Sequence, residues 1–205
     1  MNSLYDFIVK PVGDKYKNTV KVGDKELVVN TKIENWKFVN RLAEVVQVPL
    51  AFDTGIKKGD KVLIHQNVFR TFYDIRGEKK KSRSFLKDDH HLCSFDQIYM
   101  YKNKSGWHTV GERCFVQPIK DNNDLTLQKE RSLAGILKYG NKSLEDLKIA
   151  PGDVVGFTPN SEWEFLVDGE RLYCMKSNDI VIKYERKGDE EKYNPSWTQS
   201  GWWAN

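Results

Sequence analysis

The chain has 205 residues, enough for one mid-sized domain or two of about 100. Hydrophobic residues make up 39% and charged residues 30%, so the chain can bury real cores while keeping the polar surface typical of small barrels. Net charge is +4, but 33 basic residues face 29 acidic ones without forming one long basic stripe, so no nucleic-acid partner is expected.

The first apolar run, Phe7-Ile8-Val9, stops at Lys10-Pro11, far short of a signal-peptide core. No apolar run approaches the roughly 18 residues of a membrane span, so the expectation is a cytoplasmic chain without membrane contact. Residues 13–36 are mostly Lys, Asp, Asn, Gly and Thr, a composition that buries too little surface to stay ordered alone. Within this stretch lies one apolar tripeptide, Leu27-Val28-Val29. A second reading draws it as a core strand with Val20 and Val22 on its hairpin mate.

Leu42 to Val46 and Val62 to Ile64 read as strands, the latter fed by the tight turn Gly59-Asp60. Lys79-Lys80-Lys81, with Arg76 and Arg83, reads as a solvated hairpin tip. Asp88-Asp89-His90-His91-Leu92-Cys93 contains metal-ligand residue types. Adjacent strand residues point to opposite faces, however, so no metal is expected there. The three cysteines, Cys93, Cys114 and Cys174, are odd in number and lack metal spacing, which predicts reduced, buried thiols.

Past residue 105 the patterns return in the same order. Phe7-Ile8-Val9-Lys10-Pro11 matches Phe115-Val116-Gln117-Pro118, and Leu42 to Val46 matches Leu133-Ala134-Gly135-Ile136-Leu137. Ile56 to Val62 matches Ile149 to Val155, and Asp96-Gln97-Ile98-Tyr99 matches Asn178-Asp179-Ile180-Val181. Periodicity alone would also allow a helix over Leu127 to Tyr139, but the repeat argues for a strand. Short β-branched runs between Gly-Asp, Pro-Gly and Asn-rich turns predict two all-β units.

The units differ in spacing. Phe7 and Leu42 are 35 positions apart, against 18 for Phe115 and Leu133, so the first unit carries a long extra loop. Gly59 and Ile98 are 39 apart, against 28 for Gly152 and Ile180, and that excess falls around Lys79. The tail 187–205 is polar and then Trp-rich, with Trp197, Trp202 and Trp203 implying either a contact surface or packing against its own unit.

The run Asp168-Gly169-Glu170-Arg171-Leu172-Tyr173-Cys174-Met175-Lys176-Ser177-Asn178-Asp179-Ile180 resembles the last turn and strand of the GroES co-chaperonins. The Gly-Asp turns and the Leu-Ala-x-Val strand are similar to that family in the same order, over most of residues 4 to 185. The tandem arrangement is similar to double-domain chloroplast members, while His65 to Asp74 looks more like phage-encoded ones, which would place the chain in a host cytoplasm.

The resemblance implies two tandem GroES-like small β-barrels. The first spans 1–105, with a mobile loop over 13–36 and a roof hairpin over 70–90; the second spans 106–186 and lacks the long loop. It further implies that Leu27, Val28 and Val29 dock into an apolar groove of a GroEL-type chaperonin ring, in an ATP-dependent way, to enclose a non-native client protein. Here the glycines do not stand directly before the tripeptide: Lys25-Glu26 follow Gly23-Asp24.

By the same resemblance a homo-oligomeric ring would form through first and last strands, with Phe7, Ile8, Val9, Ile98, Tyr99, Phe115, Val116, Ile180, Val181 and Ile182 at the contacts. No cofactor is expected and no enzyme. There is no zinc spacing, phosphate loop, nucleophile elbow or Gly-x-Gly-x-x-Gly fingerprint, so a dehydrogenase fragment does not fit. A virion-associated assembly protein of tandem barrels is the alternative; it leaves the aliphatic tripeptide unexplained.

Overall fold

The computed structural model describes residues 3–16, 19–22, 25–28, 39–121, 129–185, 188 and 190–195, with the backbone alone for 19–22, 25–28 and Lys79. The chain is predominantly antiparallel β and divides into two compact units, 1–108 and 109–205.

The first unit runs β1 (Phe7–Pro11), β2 (Thr19–Val22), β3 (Lys25–Val28), β4 (Leu42–Gln47), β5 (Lys61–Ile64), β6 (Phe72–Tyr73), β7 (Lys79–Lys80), β8 (Phe85–Lys87), β9 (His90–Cys93), β10 (Ile98–Asn103) and β11 (Gly106–Thr109). The second runs β12 (Arg113–Lys120), β13 (Glu130–Tyr139), α1 (Lys142–Asp146), β14 (Val154–Phe157), β15 (Trp163–Val167), β16 (Glu170–Lys176) and β17 (Ile180–Tyr184). Within Leu127 to Tyr139 the described part therefore supplies a strand, Glu130–Tyr139, as the repeat argued.

The first sheet is ordered β11-β10-β5-β4-β1-β9-β8 and the second β15-β16-β12-β13-β14-β17. Reversing the second and removing β11 from the first leaves the same six-strand order, with β1 answering to β12, β4 to β13, β5 to β14, β8 to β15, β9 to β16 and β10 to β17. Among the described residues neither sheet closes on itself.

The correspondence extends to single hydrogen bonds. Gly59 N–H donates to Val45 O and Val45 N–H to Asp60 O, just as Gly152 N–H donates to Leu137 O and Leu137 N–H to Asp153 O. Both turns are closed by the aspartate: Asp60 accepts from Lys57 N–H at 2.8 Å and Asp153 from Ala150 N–H at 2.8 Å. The two glycines sit at φ +90° and +99°, a region costly for any residue with a Cβ. The strands they feed are buried, with Val62, Ile64 and Val155 at zero exposure.

The same bonds shift the sequence alignment by one residue. Val45 stands where Leu137 does, rather than opposite Ile136. Leu133 occupies the left-handed region at φ +54°, a kink that matched strings cannot reveal.

Alternation builds the cores. In β4, Ala43 and Val45 point inward, while β12 is buried on both faces over most of its length. Cys114, Val116, Leu137, Leu144 and Val155 meet in the second core. Leu144 arrives from α1, whose start is capped by Asn141 Oδ1 accepting Leu144 N–H at 3.1 Å. This short helix was not anticipated from the sequence.

Candidate functional site

The insertion between β1 and β4 distinguishes the first unit from the second, where only residues 121–129 separate β12 from β13. Its feet are held by one buried side chain. Asn40, 7% exposed, donates through Nδ2 to Val12 O at 2.8 Å and Asp14 O at 3.0 Å, while its Oδ1 accepts Leu42 N–H at 2.8 Å. Asn40 N–H also donates to Lys15 O, and Tyr16 bridges to Val39. Each buried polar group is thereby paired, which is the condition for placing an amide in a core.

Two further ties reach the second excursion of the unit. The Thr71 hydroxyl donates to the Tyr16 hydroxyl at 2.8 Å. Lys15 Nζ pairs with Asp89 at 2.5 Å and stands 5.6 Å from the centre of the Phe85 ring. The ammonium beside Asp89 holds that carboxyl below its ordinary value.

Above these feet, β2 and β3 pair only with each other, with Val20 opposite Leu27 and Thr19 opposite Val28, in a two-stranded sheet separate from the seven-stranded one. The segment expected to lack structure thus holds a hairpin, because two runs of β-favouring residues flank Gly23-Asp24. Val20 stands opposite Leu27, as the reading of a hairpin mate has it, and Val22 opposite Lys25. Val29, the third residue of the tripeptide, lies outside the described residues.

The second excursion, between β5 and β8, contains the β6/β7 hairpin. Its turn is tied by Asp74, whose Oδ1 accepts Arg76 N–H and Glu78 N–H, both at 2.9 Å. Those backbone donors, Glu78 first, lower the Asp74 pKa. Ile75 on this tip is fully exposed, and Phe72 and Tyr73 are each about two-fifths exposed.

The residues expected at ring contacts separate into two groups. Phe7, Ile8 and Val9 are buried, and β1 is hydrogen-bonded on one side to β4 and on the other to β9. Phe115 and Val116 are likewise buried between β13 and β16. A strand from another molecule needs an open backbone edge; Ile8, Val9, Phe115 and Val116 are paired on both sides, and Phe7 is paired with Cys93. Ile98 and Tyr99 are buried in β10, which lies between β5 and β11.

Ile180, Val181 and Ile182 lie on β17, which ends its sheet and pairs with β14 alone. Val181 and Ile182 are about half exposed.

His91 is buried with its ring 4.8 Å from Phe69 and 5.4 Å from Phe85, whereas the neighbouring His90 points to the other face of β9. Among the described residues no three His, Cys, Asp or Glu side chains converge to hold a metal, and no helix is long and apolar enough to cross a membrane. Cys93, Cys114 and Cys174 are free and buried.

In the second unit the tail returns to its own sheet, with Lys120 N–H donating to Glu191 O and Tyr193 N–H to Pro118 O. Trp197, Trp202 and Trp203 lie outside the described residues. Tyr193 and Pro195 border a cleft of about 360 Å³ with Glu130, Arg171 and Tyr173. Arg171 bonds Glu164, Glu130 and the Tyr173 hydroxyl, so this polar group satisfies itself.

Sequence reasoning did not find Asn40, Tyr16 or Lys15. Their partners are distant along the chain, and no local pattern marks them. No protein-family model matches the chain, and no curated protein does.

Proposed function

We propose that the chain is a co-chaperonin: a ring of copies caps a GroEL-type, ATP-driven chaperonin and encloses a non-native client protein. The observation that carries this reading is the asymmetry between two units of one strand order. Only the first bears an anchored insertion, and that insertion presents Leu27-Val28 on a hairpin outside the main sheet. In this reading each unit wraps as a small barrel, the two barrels act as rigid carriers, and the hairpin is the docking element.

The energetics suit a reversible lid. Burying an aliphatic side chain contributes about 1.5 to 3 kcal/mol, while ordering a segment on binding takes back about 2 to 5 kcal/mol. One insertion binds weakly. Several on one ring bind together, and they release together when the partner rearranges its grooves. Any nucleotide hydrolysis belongs to the partner.

The ring contact is best drawn through β17, whose outer edge carries no strand among the described residues; an open edge needs covering. The same edge is what favours the competing reading of a virion-associated assembly protein. Capture of purified chaperonin by the tagged chain separates the two. The expected result is retention that requires ATP and is lost in Leu27→Asp. Absence of ATP-dependent retention by the parent chain rules out the co-chaperonin reading.

A further inference from the structure

The β6/β7 excursion has a property that no role as a plain connector requires. Its counterpart in the second unit is the short link 158–162, whereas here residues 65–84 intervene between the equivalent strands. From Arg70 to Lys87 seven Lys and Arg face only Asp74 and Glu78, a net charge of +5. The whole chain carries +4, so everything outside this segment sums to −1. The basic excess is thus concentrated on one of the two insertions that the second unit lacks, together with β8 that follows it.

Little of that charge is neutralised locally. Lys80 pairs with Asp74 at 3.4 Å and Glu78 at 2.7 Å, which uses both acids. Lys81 lies 3.7 Å from the centre of the Phe85 ring and makes no ion pair among the described residues, interacting with Asp89 only at longer range. Arg76, Arg83 and Lys87 have no ion pair among the described residues.

The tip is also built to hold its shape. Asp74 N–H donates to Glu78 O and Gly77 N–H to Asp74 O, beside the two bonds to the Asp74 carboxylate. Gly77 takes φ +77°, which a residue with a Cβ would resist. The most exposed large apolar side chain of the described residues, Ile75, is carried on this braced turn. A rigid tip loses little entropy on binding, the usual way to gain affinity from few contacts.

We infer that the Arg70–Lys87 excursion is a contact surface for an acidic polypeptide whose carboxylates meet Arg76, Lys81 and Arg83 while one of its apolar side chains covers Ile75. Charge complementarity selects an anion. Ile75 selects among anions: single-stranded nucleic acid gains from aromatic faces and cations, but Phe72 and Tyr73 on this hairpin are only about two-fifths exposed, whereas the aliphatic Ile75 is fully so. A polypeptide supplies carboxylates and apolar side chains together. The inference is independent of chaperonin docking, and its test contains no chaperonin.

The full chain is titrated with three labelled probes: a random copolymer of glutamate and leucine, polyglutamate, and oligo-deoxythymidylate. The copolymer is expected to bind tightest, and its binding should weaken with salt and fall by about tenfold or more in R76S/R83S. Ile75→Ser should weaken the copolymer severalfold and leave polyglutamate unchanged. Both variants change exposed residues, and unaltered thermal unfolding verifies their fold.

Three results overturn the inference: no copolymer binding at low salt, parent-like affinity in R76S/R83S, or equal affinity for copolymer and polyglutamate with no effect of Ile75→Ser. Tighter binding of the oligonucleotide than of the copolymer also overturns it and assigns the surface to nucleic acid.

Discussion

The hydroxyl of Tyr16 accepts a hydrogen bond from the hydroxyl of Thr71, and a second from its N–H, across 55 positions of sequence. One phenol thereby joins the foot of the insertion carrying Leu27 to the base of the excursion carrying Ile75. Replacing Tyr16 by Phe removes the acceptor and leaves the Thr71 donors without it, at a cost of about 1 kcal/mol. Denaturant unfolding should show that loss, and amide exchange at Thr71 should accelerate while the core of β5 stays protected. Unchanged exchange at Thr71 would refute the role given to this tie.

Gly135 faces a different constraint. A Cβ there would stand 2.5 Å from Val116 Cγ1 and 2.6 Å from Gln117 O, and the second neighbour is backbone of the central strand. The equivalent position in the first unit holds Ala43, opposite Pro11 and Val62 as Gly135 is opposite Pro118 and Val155. Similar topology thus coexists with a different spacing between strands. Gly135→Ala is expected to destabilise by about 1–3 kcal/mol, read from its denaturation midpoint against the parent chain. A midpoint equal to the parent's would show that β13 can move away from β12.

Acid should weaken the first unit in two steps. Burial holds the His91 imidazole below its ordinary value, despite the Asp89 carbonyl that its Nδ1 contacts at 2.9 Å. The unfolded chain therefore takes up this proton first, and the associated stability is complete above about pH 6.5 and declines below it. Lys15 and His90 add to that depression, while the Asp89 carboxylate opposes it. Asp89 itself is depressed chiefly by its bond to Lys15. Its contribution is present above about pH 3.9 and is lost as pH falls through the lowered value. Unfolding free energy measured against pH should fall in the first window for the parent and stay level there in His91→Leu.

The thiols should be silent in the folded chain. Burial pushes the Cys93 thiol well above its ordinary value and the Cys114 thiol up to about 12, so almost no thiolate exists at neutral pH. A soluble alkylating reagent is expected to modify neither cysteine until denaturant opens the sheets. Labelling at the rate of a free thiol under native conditions would contradict the burial.

Much of this architecture is legible along the chain because its signals are short-range. Gly59-Asp60 and Gly152-Asp153 need a left-handed glycine followed by an acceptor within three residues, and that pattern is visible in the sequence and present in both turns. The hairpin Thr19–Val28 also had a local signal, two β-favouring runs around Gly-Asp, although the polar surroundings argued against any structure. The register of β13 had none. A slip of one residue preserves the apolar string but turns every side chain to the other face, and the bonds from Gly152 N–H to Leu137 O and from Leu137 N–H to Asp153 O decide it.

By itself, the sequence determined that this is an all-β chain with a repeated unit, a long insertion in the first copy, and cysteines suited to burial. Each of those follows from residue preferences within a few positions. The tertiary structure alone decided that β1 and β12 are interior strands flanked on both sides, that β17 ends its sheet among the described residues, and that Asn40, Tyr16 and Lys15 fasten the insertion. Those outcomes depend on which backbone groups find partners dozens of residues away. A hydrogen bond is satisfied by proximity in space, and nothing in the order of residues records it.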